Sequence, residues 1–459
     1  MKFNKKGILF FSLFLLIYTF YCILQLESVL NFAEYAWLVL RIAITSYLLY
    51  ELFLRNKYSF SLRNIVYIFF LTFLMLAPIP QYFNKIVFWK ASKIDHNIVM
   101  YFVADLYIIL FLVVFGVTYN LRYKIFDNVK IIKRKLKYPL LFNLIITGIH
   151  LLIFLFILRA VGFPEMLFRF TNKIEDLGTS AGLIIGKYVK ALSIVILVYL
   201  ISNKEEKFKG KNIFIFLNVI IFLLIYFPTS AARFQIIAAY LGLFLIITLK
   251  PQSKYKITLL FLLGLFIVFP SLEVFRNLKS FNQFNLNNVG TSINSAFNEG
   301  HYDSYQMFVN SINYLAENGV TWGRQISGTL LFFVPRSLWP NKPIGSGAFV
   351  SENMGMSLDN VSMPIVGEAY INFGILGIIL FALVFGLLCR GFDQRYWKKV
   401  ENNDNGLLVH FYPVLIGYFF FMNRGDLMSS FAFIMGLYFA FLTIYWIKNL
   451  LSKKSIQSA

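Results

Sequence analysis

The residues of this chain best suited to chemistry are arginines and one carboxylate placed at the ends of apolar runs. Arg233 follows Pro228-Thr229-Ser230-Ala231-Ala232 in a very tight turn between two apolar segments. Arg276 stands where another apolar segment ends. Arg336 lies in the run Val334-Pro335-Arg336-Ser337-Leu338-Trp339-Pro340-Asn341-Lys342-Pro343. A guanidinium stays charged and takes phosphate oxygens in a bidentate fork. Several of them converging on one cavity, with Lys342, suit a diphosphate. Glu368 begins an apolar run, where partial burial fits it as a general base; a helix-start acid satisfying backbone N–H groups is the structural alternative. His301 is the second candidate base, because its natural pKa suits proton transfer. For any single arginine the competing reading is interfacial snorkelling or a salt bridge, for example Arg424 with Asp426.

Other chemistries find no support. The segment Gly182-Leu183-Ile184-Ile185-Gly186-Lys187-Tyr188 is one residue short of a phosphate-binding loop and lacks its Ser or Thr. There is no His-Glu-x-x-His, and His96, His150, His301 and His410 are scattered. No metal site, no Asp-x-Asp cluster and no cofactor motif is expected. Cys22 and Cys389 sit singly in apolar runs, which gives no disulfide framework.

The elements that must position these residues are membrane helices. The chain is 58% hydrophobic and 14% charged, with 53 Phe and 27 Tyr in 459 residues, more apolar surface than a soluble domain can hide. Twelve apolar runs read as spans, at 7–26, 33–54, 62–82, 98–120, 138–158, 183–201, 212–228, 232–249, 256–273, 364–389, 407–422 and 427–447. With the N-terminus inside, and counting residues at the span edges, the inner loops and tails hold 27 of the 43 Lys and Arg and 6 of the 22 Asp and Glu. That bias accounts for the whole net charge of +21 by the positive-inside rule, so the charge gives no argument for nucleic acid. Both termini then fall in the cytoplasm. The basic start resembles a signal peptide but lacks a small-x-small cleavage site, so the first span is read as retained. No internal repeat is evident, which weakens a transporter reading.

Three regions follow: spans one to nine over 1–273, an outer loop over 274–363, and spans ten to twelve with a tail over 364–459. A loop of ninety residues gains nothing outside the bilayer unless it folds back, and long structured loops usually carry function. Within it, Tyr305, Phe308, Val309, Ile312 and Leu315 share one face of a helix expected over 302–316. That helix is expected to lie on the membrane surface or to cap the bundle. Thr329 to Pro335 is apolar but too short to span, and is expected to dip back into the protein. Intramembrane charges usually pair, and Arg41 and Asp105, at similar depth in spans two and four, are expected to pair with each other.

Twelve spans, a large outer loop before the tenth, Pro-Arg-x-x-Trp-Pro-x-Lys-Pro at 335–343 and Gly-Glu-x-Tyr-x-Asn-Phe-Gly at 367–374 resemble Wzy-type oligosaccharide repeat-unit polymerases. The resemblance implies an all-α, GT-C-like polytopic membrane fold and a bacterial inner-membrane glycosyltransferase. It implies an undecaprenyl-diphosphate-linked oligosaccharide as substrate, with the bilayer and a chain-length regulator as partners. Under it, Arg233, Arg276, Arg336 and Lys342 hold the diphosphate, Glu368 is the base and His301 is held in reserve. Two other readings remain at this point: a ligase that moves finished glycan to another acceptor, and a flippase for the lipid-linked glycan.

Overall fold

The computed structural model describes residues 4–24, 31–90, 97–121, 134–167, 185–202, 210–229, 233–248, 255–276, 290–291 and 295–454. His96, Arg169 and most of 280–294 lie outside the described residues. The helices run α1 Lys5–Leu24, α2 Phe32–Leu54, α3 Leu62–Phe83, α4 Ile98–Asn120 and α5 Pro139–Val161. Then come α6 Lys190–Ser202, α7 Lys211–Ile225, α8 Arg233–Thr248, α9 Lys256–Leu263 and α10 Phe269–Arg276. The loop contributes α11 Ser304–Asn318, α12 Arg324–Leu330 and α13 Ser346–Asn353. The chain closes with α14 Ile365–Glu401, α15 Leu407–Arg424 and α16 Leu427–Leu450. One departure from an all-helical fold is a short antiparallel ribbon, Arg134–Leu136 with Ser452–Lys454.

Among the described residues eight helices, α1 to α5 and α14 to α16, are long and apolar enough to cross a membrane. The runs expected as spans six to nine are also helical but shorter, at α6 to α10. The chain is thus a polytopic membrane protein, as the apolar runs required.

α3 is the inner post of the bundle, buried almost throughout. Its start is held by the Asp393 carboxylate of α14, which accepts from Leu62 N at 2.9 Å and Tyr119 Oη at 2.8 Å, with Tyr412 Oη as a further donor. Four-residue spacing of small side chains lets α8 and α15 approach closely. Gly242 faces the Val414 backbone and Gly417 faces Ala238, so a Cβ at either would overlap the opposite helix.

The expected Arg41–Asp105 pair is present. Arg41 Nη2 lies 3.1 Å from Asp105 Oδ1, and neither side chain is exposed. Residues 70–76 of α3 take π-helical form, and the carbonyls of Leu74 and Met75 accept from Arg41 Nη1 at 3.0 and 2.8 Å. The guanidinium also lies over the Trp37 ring, 4.3 Å from its centre. The fourth partner comes from the loop: Tyr305 Oη donates to Asp105 Oδ1 at 2.8 Å, and its ring packs under Arg41 at 4.7 Å.

α11 is therefore a cap inserted into the bundle and does not lie on the surface. All five of its expected apolar residues are buried, as are Asn310 and the preceding Asp303 on the other side. Met307 and Leu315 of that helix join Val350, Met356, Val361, Met363 and Ile371 in a small second core. That core gives the loop its own structure and fastens it to the start of α14.

Removing one partner of a buried ion pair strands the other charge, at a cost of about 3–5 kcal/mol. Asp105→Ala is expected to lower thermal stability by that order. The loss of Tyr305→Phe, one hydrogen bond to a charged group, is expected to be about half as large. Melting of the purified variants in detergent, read by retention of monodisperse protein, checks both. Equal stability of Asp105→Ala and the parent would refute the assignment.

Candidate functional site

The polar site is built at the loop end of the bundle, around the turn between α15 and α16. Asp303 precedes α11 and is wholly buried. Its carboxylate accepts from Trp89 Nε1 at 3.0 Å, from Ser362 N at 3.2 Å and from the Ser362 hydroxyl. Arg424, the last residue of α15, completes it, with Nη2 3.2 Å from Asp303 Oδ1. The Nε of Arg424 donates to the carbonyl of His301 at 3.0 Å. One carboxylate thus ties together the segment after α3, both ends of the loop's small core and the end of α15. The salt bridge offered as an example of the competing reading, Arg424 with Asp426, does not form; Arg424 pairs with Asp303 instead.

Asp426 is otherwise occupied. It caps α16, accepting from Ser429 N at 3.2 Å. Its other carboxylate oxygen lies against the Cα of Gly345, where any Cβ would overlap it. The next residue of each strand of this crossing meets Glu368. Glu368 Oε2 accepts from Ser346 Oγ at 2.5 Å and Oε1 from Leu427 N at 2.9 Å. Two carboxylates therefore clamp the neighbouring pairs Gly345–Ser346 and Asp426–Leu427. Glu368 is 1% exposed with both oxygens engaged, whereas Asp426 is half-buried. Glu368 does satisfy a backbone N–H, but that of α16, not of its own helix. Burial holds the Asp426 carboxyl above the usual carboxylate range, against the opposing pull of backbone N–H groups and Lys187.

The other expected residues fall around this corner. His301 sits in a single 3-10 turn, its ring edge-on to Phe269 at 6.1 Å. Phe269 opens α10, which ends at Arg276. Arg233 opens α8, and the next residue, Phe234, stacks on Phe421 three residues before Arg424. The side chains of Arg233 and Arg276 lie outside the described residues. Lys342 is tied into its own loop, with Nζ donating to the carbonyls of Phe332 at 2.5 Å and Val334 at 2.9 Å. Arg336 spends only Nη1, on the carbonyl of Lys342 at 2.9 Å, and stands exposed. The proximity of Arg336 and the burial of its stem depress the pKa of Lys342 below the ordinary lysine value, burial being the larger cause. Lys342 is four residues before Ser346, so the Lys342 end of the turn lies within about 14 Å of Ser346 at full extension.

Sequence reasoning missed Asp303, Ser346 and Asp426. Only Asp426 left a signal, as an acid directly before an apolar helix. Among the described residues no group of His, Cys, Asp and Glu could hold a metal ion.

Eight helices long and apolar enough to cross a membrane, with buried carboxylates beside a helix-end cation under the folded loop, define a polytopic membrane protein with a polar cluster at one end of its bundle. Residues 354–455 match the family model described as O-antigen polysaccharide polymerase Wzy, which supports a Wzy-type polymerase. The match covers Glu368, Arg424 and Asp426; Arg233, Arg276, His301, Arg336 and Lys342 precede it. No curated protein and no solved structure matches the chain.

Two substitutions probe the corner. Asp303→Ala leaves a partly buried Arg424 unpaired and is expected to cost about 3 kcal/mol. Gly345→Ala forces the Asp426 carboxylate out of place. Increased protease cleavage between residues 330 and 363 in both variants, measured on purified protein, is the expected sign. Parental cleavage patterns in both would show that the corner does not hold the loop.

Proposed function

We propose that this protein polymerises oligosaccharide repeat units carried on undecaprenyl diphosphate, at the outer face of a bacterial cytoplasmic membrane. The observation that carries the reading is the polymerase family match over 354–455, the region that contributes Glu368, Arg424 and Asp426 to one corner. In this reading the four shorter helical stretches between α5 and the loop complete twelve spans. Both termini are then cytoplasmic, and the loop covers the outer end. A chain-length regulator is an additional expected partner.

The reaction is glycosyl transfer. The hydroxyl oxygen of the incoming lipid-linked unit attacks the anomeric carbon of the growing glycan. The bond from that carbon to the diphosphate oxygen breaks, and undecaprenyl diphosphate departs with the bonding electrons. Departure needs cations on the leaving group, and the attacking hydroxyl needs a proton acceptor. We assign the first role to Arg233, Arg276 and Arg336. Lys342 contributes by fixing the turn that presents Arg336, since its ammonium is already bound to two carbonyls. We assign the proton to the Glu368–Asp426 pair and keep His301 as the alternative base.

Arg336→Ala and Arg233→Ala are each expected to reduce polymer formation at least about 100-fold, the loss typical of removing one stabilising donor from a charged transition state. Protein level should be unchanged, and single repeat units should accumulate on the carrier. The check is polymer length on gels from a deletion strain complemented with each variant. Normal polymer in both sinks the assignment. Full-length polymer stranded on the carrier would indicate a ligase.

A further inference from the structure

The apolar stretch after α12 does not return into the protein. Leu330, Leu331, Phe333 and Leu338 are 56%, 42%, 58% and 78% exposed, and Trp322, just before α12, is 78% exposed. These residues do not ride on a slack loop. Three successive turns are closed by backbone bonds from Val334 N to Leu331 O, Leu338 N to Pro335 O and Lys342 N to Trp339 O, each 3.0 Å. The Lys342 ammonium and Arg336 guanidinium lock the turns together from the side. A rigid platform that holds large apolar side chains outward must have something apolar to hold them against.

The height of the platform on the bundle identifies that partner. Thr321 N and Gly323 N donate to the carbonyls of Ile371 and Asn372 in α14, at 2.9 and 3.2 Å. α14 breaks helical geometry at Phe373 and Gly374. Before the break most of its side chains are buried. Immediately after it come Ile375 and Leu376, 49% and 68% exposed, then Leu380, Leu383, Val384 and Leu388 along the same helix. The lipid-facing surface of α14 thus begins at the level where Trp322 is pinned. On the neighbouring helix, the Phe332 ring meets that of Phe431 at 6.0 Å, four residues into α16 and so about 6 Å from its start. The exposed residues therefore continue the apolar outer wall of the bundle at its edge, with a charged arginine among them. Aromatic and aliphatic side chains beside a cation are the composition that settles at a bilayer interface.

We propose that residues 330–338, with Trp322, form an interfacial anchor that inserts into the bilayer leaflet on the loop side and sets Arg336 at the depth of lipid phosphates. The occupant of this surface is bulk membrane lipid. The anchor stands independently of the reaction assigned above. It would fix the loop against the membrane whatever molecule the site handles.

The test uses full-length protein with Cys22 and Cys389 replaced by alanine, carrying a nitroxide label at Leu338→Cys or Phe333→Cys. The protein is reconstituted in vesicles of phosphatidylethanolamine and phosphatidylglycerol. A label at Asp359→Cys, exposed on the same loop but distant from the turns in sequence, is the aqueous control. Oxygen partitions into lipid and a nickel chelate stays in water. The oxygen-to-nickel accessibility ratio at 333 and 338 is expected to exceed that of the control several-fold in vesicles. A ratio equal to the control at both positions places the turn in water and overturns the proposal. Shielding from both reagents at both positions means that protein covers the turn, and overturns it equally.

Discussion

The fold depends on one buried charge, the guanidinium of Arg41. A cation at that depth needs a countercharge and acceptors held in place around it. Asp105 of α4 supplies the countercharge and the π-helical stretch of α3 turns two carbonyls toward it. Tyr305 of the loop then donates to the same Asp105 oxygen that Arg41 grips. Burial and the neighbouring carboxylate hold the Tyr305 phenol well above its ordinary value, so it remains a donor. The consequence is that the loop is not an accessory resting on a finished bundle. The polar centre that joins α2, α3 and α4 is incomplete without it. The helix that carries Tyr305 is also the one that Asp303 begins.

Coupling follows from that chain of contacts. Tyr305 lies two residues after Asp303, Asp303 holds Arg424, and two residues beyond Arg424 stands Asp426 against Gly345. Each step is a short rigid link between charged or hydrogen-bonded groups. The carboxylates at the α15–α16 turn are thus linked, through the loop, to the ion pair inside the bundle.

The helices were legible because a span must satisfy its backbone internally and present apolar side chains over its length, and both demands write long uncharged runs. The face of α11 was legible for a related reason: Tyr305 to Leu315 keep the helical period. The pairing of Arg41 with Asp105 was legible because a membrane offers an isolated charge few alternatives. The site was legible only in part. Glu368 and the arginines stand out as charges at apolar boundaries, but Asp303 reads as an ordinary residue on the polar face of the helix expected over 302–316. Arg424 and Asp426 looked like mutual partners because they are neighbours in sequence. Their side chains diverge because one ends a helix and the other caps the next. Ser346 carries no signal at all, since its role comes from a crossing between segments far apart in the chain. The exposed turn at 330–338 misled for a physical reason: an apolar stretch too short to span looks like core until its level on the bundle is known.

The two cations of the Pro-Arg turn show how one turn can combine rigidity with an available charge. Lysine is a compact point charge that two carbonyls can satisfy, and Lys342 is used that way. Arginine presents five donors, and Arg336 commits one nitrogen to the Lys342 carbonyl while the rest of its fork stays in the open. The prolines on either side remove backbone freedom that would otherwise have to be lost on binding a ligand. A Lys at 336 could hold the turn or meet a phosphate, but not both with the same ammonium. The two residues thus divide the work of the turn: Lys342 closes it and Arg336 keeps donors in the open.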